Sequence, residues 1–257
     1  MKKTIPKTIH YCWFGTNPLP KTAKKCIESW KKFLPDYQII QWNEKNYDIS
    51  KIPYIRQAYA EKKYAYVSDY ARFDILYQYG GIYFDTDVEV IKSLEDIITQ
   101  GPFFACEING TLSPLCTTNN SLLDCPYSSF SIRVSPGLGM GVESGNPFYK
   151  EFLDLYKDLD FIRPDGSYNQ VAVVRNTTTL LVAHGLKDVE SVQKIAGFTI
   201  YPQDYFNPYD SLTGILNVTE NTCAIHWYSL SWLPSLRRIR VRLMRMLRRF
   251  VTVLKGK

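Results

Sequence analysis

The feature that most constrains this chain is a short run in which two glycines, an apolar strand and two acids follow one another. It consists of Gly80-Gly81-Ile82-Tyr83-Phe84-Asp85-Thr86-Asp87. The glycines end a preceding helical pattern, and the apolar residues predict a buried strand. Side chains two residues apart on an extended chain point to the same side, so we expect both carboxylates to face one way. At the carboxyl end of a strand in an open α/β sheet, such a pair lies where ligands bind.

This acidic pair is a candidate metal site. Two carboxylates held close together repel each other unless a cation or strong donors lie between them. One or two carboxylates combined with diphosphate oxygens are typical ligands of Mg²⁺, and similar oxygen ligands suit Mn²⁺. Asp85 and Asp87 are therefore candidate metal ligands and catalytic groups. An Asp-x-Asp sequence also occurs by chance in acidic loops, and the buried strand before it is what favours the metal site.

Alternating strand and helix patterns surround this run and predict one mixed α/β domain over residues 1–235. The glycine-dense stretch 137–141 predicts a turn, and residues 110–129 predict a long loop or a subdomain insert. Strands are predicted over 8–14, 37–42, 82–84, 88–91, 102–108, 198–201 and 225–228. Helices are predicted over 20–34, 52–62, 64–79, 147–159 and 170–184.

The C-terminal residues 236–257 differ from the rest in charge. They hold nine of the chain's 31 basic residues and no acid, so the other 22 basic residues are outnumbered by 25 acids. Apolar residues from Leu236 to Leu254 recur at helical spacing, which predicts a basic amphipathic helix. Such a helix fits an anionic membrane surface. A helix packed on the domain with a solvated arginine face, or a nucleic-acid-binding helix, remains open, although we expect nucleic acid to be an unlikely partner.

Cysteine usage and hydropathy bear on location. The six cysteines include no Cys-x-x-Cys pair and no zinc-like spacing with histidine, so we expect reduced thiols, while a bridge between Cys116 and Cys125 stays open. No stretch approaches the roughly 20 apolar residues of a membrane-spanning helix. We expect a cytoplasmic protein that is peripheral at the inner face of the membrane.

A second candidate group lies on the predicted helix before the glycines. Asp69 and Arg72 are three residues apart and share one helix face. A surface ion pair, which stabilises a helix by a few tenths of a kcal/mol, explains that spacing. Two polar side chains that bind the hydroxyl groups of a sugar explain it as well.

Three motifs in this order carry a family resemblance. They are Ile5-Pro6-Lys7-Thr8-Ile9-His10-Tyr11-Cys12-Trp13-Phe14-Gly15, then Ser68-Asp69-Tyr70-Ala71-Arg72, then Gly80 to Asp87. Together they resemble glycosyltransferase family 32, the sugar transferases with a DXD motif that include yeast mannosyltransferases and bacterial capsule enzymes. They are also similar to the glucosyltransferase domain of large clostridial toxins. The resemblance implies a GT-A type nucleotide-sugar-binding fold with a mixed, mainly parallel open sheet.

The resemblance also implies roles for individual residues. Trp13 would stack on the nucleobase of the donor, Asp69 and Arg72 would bind donor sugar hydroxyls, and Tyr83 would lie along the donor. Asp85 would contact ribose and sugar or a metal-bound water, and Asp87 would ligate the metal directly. His226, Ser231 and Trp232 match a C-terminal segment that closes on the metal and the diphosphate. For Trp13 and His226, ordinary packing at a strand end is the open alternative.

These observations favour a hexosyltransferase that depends on Mn²⁺ or Mg²⁺ and uses a UDP- or GDP-hexose. The resemblance implies retention of anomeric configuration, a glycan or lipid-linked glycan acceptor, and a role in surface or capsular polysaccharide synthesis. We expect acceptor contacts from residues 139–141 and 165–170. The alternatives are a binding module centred on the cationic tail and a glycoside hydrolase with two carboxylates.

Overall fold

A mixed β-sheet forms the middle layer of the structure. The computed structural model describes residues 4–108, 131–230 and 235–255. The strands are β1 (Thr8–Cys12), β2 (Gln38–Trp42), β3 (Gly81–Tyr83), β4 (Val88–Val90), β5 (Phe103–Ile108), β6 (Arg133–Val134), β7 (Met140–Val142), β8 (Gln193–Ile195), β9 (Phe198–Tyr201) and β10 (Ala224–His226).

The order of strands in the main sheet is β2-β1-β3-β7-β5-β9-β8, with β6 paired to β5. Strand β1 is parallel to β2 and β3, and β5 is parallel to β9, whereas β7 runs antiparallel to both of its neighbours. A separate pair joins β4 and β10 in antiparallel fashion. The predicted α/β class with a mixed open sheet is confirmed. Strand β3 lies near the middle of this sheet.

Helices cover both faces of the sheet. They are α1 (Lys21–Phe33), α2 (Pro53–Ala60), α3 (Tyr64–Tyr79), α4 (Glu95–Ile98), α5 (Pro147–Asp154), α6 (Val173–Ala183), α7 (Gln203–Phe206) and α8 (Ser235–Lys255). Helix α3 has the predicted bounds. It ends because Gly80 adopts a φ of 67°, a left-handed conformation that a side chain would strain, while its N–H still donates to Leu76 O.

The alternation of side chains along β3 divides the interior into two cores. Tyr83 belongs to the core that α3, α5 and α6 cover, whereas Ile82 and Phe84 belong to the core around Trp30 of α1. Ile82, Tyr83 and Phe84 are all buried, as expected for a strand covered on both faces. The next residue on the Tyr83 side is Asp85, so the alternation directs this acid toward α3.

The predicted turn at residues 137–141 is partly wrong. Met140 and Gly141 belong to β7, which lies between β3 and β5, and Met140 is fully buried. A side chain on Gly141 would overlap the ring of Phe103, so this glycine permits close packing inside the sheet. The expected acceptor contacts from residues 139–141 are therefore wrong, because these residues are inside the fold.

Helix α8 confirms the predicted basic C-terminal helix. Its exposed apolar side chains include Leu236, Ile239 and Leu243. Arg245 joins the helix to the rest of the chain, because its Nε donates to Ser211 O and its Nη2 to Tyr228 O. None of the helices within the described ranges combines the length and the apolar character needed to cross a membrane. Cys12, Cys26, Cys106 and Cys223 are free and buried, while Cys116 and Cys125 lie outside the described residues.

Candidate active site

The acidic pair follows β3, beside the carboxyl end of its parallel neighbour β1. Asp85 N–H donates to Gly137 O, and Val88 N–H donates to Asp85 O at 3.1 Å. The second bond closes a turn over Asp85–Val88, so the expectation of an extended chain through both acids is wrong. The two acids nevertheless act on each other, since Asp87 is among the charges that raise the pKa of Asp85.

On one side of this turn, Arg72 of α3 holds Asp85. Its Nη2 lies 2.9 Å from Asp69 Oδ1 and 3.2 Å from Asp85 Oδ1, and its Nε donates to Ser68 O. Its guanidinium lies 5.0 Å from the centre of the Tyr83 ring, and the Tyr83 hydroxyl donates to Asp85 Oδ1 at 3.1 Å. Arg72 is only 5% exposed. The ion pair with Asp69 is therefore part of a buried network rather than a surface pair.

The charges in this network do not balance. One buried arginine faces two carboxylates that are only partly exposed. Burial raises the pKa of Asp69 to about 7, against the opposing effect of Arg72 and with the help of Asp85. Burial also raises the pKa of Asp85, and Arg72 opposes that shift. The Asp69–Arg72–Asp85 network therefore tends to retain a proton or to attract a further cation.

On the other side of the turn, Asp87 is held by the end of the chain. Its Oδ1 lies 3.1 Å from Nε2 of His226 on β10, and its Oδ2 accepts the backbone N–H of Ser229 at 2.7 Å. The pairing of β4 with β10 brings these groups together, because it places His226 opposite Val88. Trp227 N–H also donates to Asp87 O.

The electrostatics of Asp87 are opposite to those of Asp85. Burial alone would raise its pKa, but the charge and hydrogen bond of His226 and the Ser229 donors hold this pKa below its usual range. Burial would likewise lower the pKa of His226, and Asp87 instead raises it. These contacts therefore favour the ionised form of Asp87, which is the state that a metal ligand requires.

The donor set of the site suits a hard divalent cation in part. His226 Nε2 and Asp87 Oδ1 lie 3.1 Å apart in a hydrogen bond, so a cation bound there would replace the proton between them. Across the described ranges, no three His, Cys, Asp or Glu side chains form a metal-binding group on their own. A cation bound by Asp87, with Asp85 and His226 nearby, would therefore need further ligands from a bound phosphate.

Trp13 lies just beyond the end of β1. Its side chain is half-buried against the second core, and its Nε1 donates to Asn17 O at 2.7 Å. Stacking of Trp13 on a nucleobase remains a prediction. Ser231 and Trp232 lie outside the described residues.

The structure adds two residues that sequence reasoning did not assign to the site. A side chain on Gly137 would overlap Asp85 Oδ2 and approach Arg72 Nη1, so only glycine leaves room for this pair. The glycine-dense stretch was a signal for such close packing. Ser229 contributes its backbone N–H, and because every residue except proline carries that group, the sequence contained no signal for its role.

These residues also fall in a region with known relatives. Residues 20–104 match the family described as glycosyltransferase sugar-binding region containing DXD motif. The match contains Asp69, Arg72, Tyr83, Asp85 and Asp87, and it confirms the suspected family over this part of the chain. The remaining predicted site residues lie outside the matched region.

Individual relatives point to the same class. The chain is 32% identical over 102 residues to inositol phosphoceramide mannosyltransferase 3 of Schizosaccharomyces pombe, covering 37% of this chain and 27% of that protein. It is 28% identical over 142 residues to a mannosyl phosphorylinositol ceramide synthase of Saccharomyces cerevisiae, covering 52% and 35%. It is 23% identical over 210 residues to an uncharacterized glycosyltransferase of Acanthamoeba polyphaga mimivirus, covering 70% and 81%.

The chain thus spans 27% to 35% of the length of these two yeast relatives. Among solved structures, the PaToxG glycosyltransferase is similar at 21% identity and a TM-score of 0.43, over 60% of each chain. The names of the relatives refer to mannosyl or glycosyl transfer.

Proposed function

We propose that this chain is a metal-dependent, retaining glycosyltransferase that moves a hexose from a UDP- or GDP-sugar to a glycan or lipid-linked glycan. The observation that carries the proposal is the pair of unlike acids after β3. Asp85 is held by the buried Arg72, and Asp87 is kept anionic by His226 and Ser229. Because both yeast relatives are named for mannosyl transfer to an inositol phosphate ceramide, mannose and a lipid-linked acceptor are the favoured substrates.

Arg72 is suited to bind the donor. Its Nε and Nη2 are engaged by Ser68, Asp69 and Asp85, which fix the plane of the guanidinium. Within the described ranges, its Nη1 has no hydrogen-bond partner and is available to oxygens of the donor. A cation held rigidly in a buried site stabilises developing negative charge more strongly than one in water.

Asp87, with Asp85 and His226, would hold the divalent ion together with the diphosphate of the donor. Bound there, Mn²⁺ or Mg²⁺ supplies Lewis-acid stabilisation of the leaving diphosphate. The protein contributes the orientation, since Ser229 N–H and His226 fix both oxygens of Asp87. No side chain needs to act as a covalent nucleophile in this proposal.

The C-terminal helix is proposed to lie on an anionic membrane. Arg237, Arg240 and Arg248 are exposed on α8 together with the apolar side chains of Leu236, Ile239 and Leu243. Basic residues near such a surface contribute about 1 kcal/mol each. A peripheral position at the cytoplasmic face would bring the enzyme to a lipid-linked acceptor.

The donor is tested with the full chain. Nucleotide sugars are screened for thermal stabilisation with and without Mn²⁺, because a ligand that binds the native state raises the melting temperature. We expect UDP- or GDP-hexose to stabilise the protein only with metal, and EDTA to abolish the effect. Stabilisation by free glycosides without nucleotide or metal would instead favour the two-carboxylate hydrolase.

The membrane is tested separately, with vesicles containing phosphatidylserine and with duplex DNA at about 150 mM salt. The triple variant Arg237→Gln, Arg240→Gln, Arg248→Gln should lose most vesicle binding. Its matched control replaces three exposed lysines outside α8, Lys24, Lys45 and Lys187, by glutamine. Tight retention on DNA and none on vesicles would favour the alternative of a nucleic-acid-binding module.

A further inference from the structure

A cavity lies between α8 and the segment that leads into it. It has a volume of about 370 Å³, and the segment 209–230 forms one wall while α8 forms the other. Its aromatic side chains are Tyr209, Trp227 and Tyr228. The hydroxyl-bearing residues Thr22, Thr213 and Ser229 also line it. Aromatic rings combined with hydroxyl groups are typical of sites that bind hydroxylated rings.

The charge of the cavity wall has one sign. Arg238 and Arg245 line the cavity, and no acidic side chain is among its described lining residues. Arg245 is half-buried, and it is held by the carbonyl oxygens of Ser211 and Tyr228 and by the ring of Tyr209, 5.8 Å from its guanidinium carbon. Within the described ranges, none of the carboxylates forms an ion pair with Arg245.

A half-buried arginine that is positioned by carbonyl oxygens keeps its positive charge available to a ligand. Nη1 of Arg245 makes no hydrogen bond within the described ranges, so two of its N–H groups remain for an incoming anion. Arginine is well suited to phosphate, because its planar N–H groups match the phosphate oxygens.

The cavity adjoins the candidate active site at Ser229. This residue lines the cavity, and its backbone N–H donates to Asp87 Oδ2 at 2.7 Å. Its neighbours Tyr228 and Leu230 have backbone φ angles of 46° and 52°, which residues other than glycine rarely adopt. Such backbone strain is concentrated at functional sites. A molecule that contacts Ser229 in the cavity therefore touches a residue that is hydrogen-bonded to Asp87, the proposed metal ligand.

Gly214 helps to form the wall made by the segment 209–230. Gly214 has a φ of 71° and closes a turn through its N–H to Asp210 O. A side chain there would meet the Tyr209 hydroxyl at 3.3 Å. The turn thus holds Tyr209 beside Arg245, and the cavity is a built feature of this segment.

From these observations we propose that the cavity binds the head group of the acceptor, a phosphate ester attached to a hydroxylated ring. Arg245 binds the phosphate, and the aromatic rings contact the hydroxylated ring. The inference rests on the proposed function, since it assigns the acceptor side of the same site. The head group of a membrane lipid is the favoured source, because α8 supplies both a wall of the cavity and the proposed membrane contact.

The test is a calorimetric titration of the full chain with dihexanoyl phosphatidylinositol below its micelle-forming concentration. Glucose 1-phosphate supplies the same chemistry from a soluble source, and myo-inositol supplies the ring without phosphate. We expect binding of the lipid probe and at least 10-fold weaker binding of myo-inositol. Equal affinity for glucose 1-phosphate would support the chemistry and assign a soluble source. Equal affinity for myo-inositol would overturn the role of phosphate.

Two variants place the probe in the cavity. Arg245→Gln should weaken its binding about 10-fold or more, as loss of a charge-assisted hydrogen bond does. Val241→Trp keeps Arg245 but fills the cavity, and it should also abolish binding. Arg56→Gln is the matched control, because it removes the same charge from an exposed position of α2 outside the cavity. Equal losses in Arg245→Gln and Arg56→Gln would overturn the proposal.

A parallel titration with UDP and GDP in Mn²⁺ separates this inference from the proposed function. Nucleotide binding by the wild type without probe binding refutes the acceptor cavity alone. Probe binding that Arg245→Gln removes, in a protein that binds no nucleotide with any metal, refutes the transferase and leaves the phosphate cavity standing. Loss of nucleotide binding in Arg245→Gln would assign the cavity to the donor and overturn the inference.

Discussion

The two sides of the turn after β3 hold their acids by different means. On the α3 side, Arg72 and Tyr83 come from the same stretch of sequence as Asp85 and lie inside the buried core. On the β4 side, His226 and Ser229 are about 140 residues away along the chain from Asp87. Burial dominates the first side and raises the pKa of Asp85, whereas paired charge and donors dominate the second and lower the pKa of Asp87.

This difference shows how one short motif can supply two functions. A carboxyl group that tends toward the neutral state can share protons and hydrogen bonds with hydroxyl groups. A carboxylate that remains ionised can bind a metal ion. The comparison can be tested by removing the support of each acid in turn.

The largest effect is expected on the α3 side. Arg72→Met leaves Asp69 and the partly exposed Asp85 without their cation, which should lower the free energy of unfolding by about 3 kcal/mol, the low end for a buried pair. Urea unfolding measures the loss. The control is Lys150→Met, which breaks an exposed pair with Asp154 and should cost less than about 1 kcal/mol. A loss of similar size in both variants would contradict the buried network.

On the β4 side, removal of the acid should affect activity more than folding. Asp87→Ala should lower metal-dependent hydrolysis of the donor on the order of 100- to 1000-fold, the range seen when one group that stabilises the transition state is lost. Release of nucleotide diphosphate measures this. Glu89→Gln, on the adjoining strand β4, is the control, since Glu89 pairs with Lys25 and Trp227 instead. Equal rates for both variants would exclude Asp87 from the reaction.

The pH dependence of stability should distinguish the two sides. The pKa of Asp69 is raised from 3.8 to about 7, so between those values the native state binds more protons than the unfolded chain. The contribution of Asp69 to the stability of the wild type therefore falls as pH rises. From pH 4 to pH 6, Asp69→Asn should gain about 2 kcal/mol relative to the wild type.

Asp87→Asn is the companion variant for that measurement. The pKa of Asp87 is lowered, so its stabilisation is present above the ordinary carboxyl pKa and is lost only as pH falls below it. Urea unfolding at pH 4 and pH 6 should find this variant destabilised at both values, with no gain at the higher pH. A matching gain in both variants would show that the two acids share one environment.

The smallest effect is expected from Tyr83→Phe. It removes the hydroxyl donor to Asp85 but leaves Arg72 in place, so stability should fall by about 1 kcal/mol. Thermal unfolding measures the change. Tyr11→Phe, which loses a hydroxyl bond to Gln41, is the matched control on the opposite core. If Tyr83→Phe lost more stability than Arg72→Met, then Tyr83 and not Arg72 would be the main partner of Asp85.

Local pattern predicted much of the fold around the site. The bounds of α3, its end at Gly80 and the buried strand β3 follow from helical spacing, a left-handed glycine and an apolar run. The turn at the acids and the strand β7 were not predicted. Strand β7 has only three residues, it contains Gly141 and it follows Gly139, so its sequence carries no strand pattern. Only pairing with β3 and β5 makes them a strand.

For the candidate site, the sequence predicted the residues but not their surroundings. The residue types and order that mark Asp69, Arg72, Asp85 and Asp87 are present in the sequence, and the family match covers them. The burial of the Asp69–Arg72 pair was not settled by its spacing, because a helix face does not reveal what packs against it. Binding of a nucleobase by Trp13 and of metal by His226 stays a prediction.

The sequence by itself determined which groups this chain has for chemistry and where its local helices and strands begin and end, because spacing and glycine conformation act over a few residues. Only the tertiary structure decided that Arg72 is buried between two acids and that β10 brings His226 and Ser229 to Asp87. Burial and pairing across about 140 residues set these charges, and both depend on packing that no local pattern records.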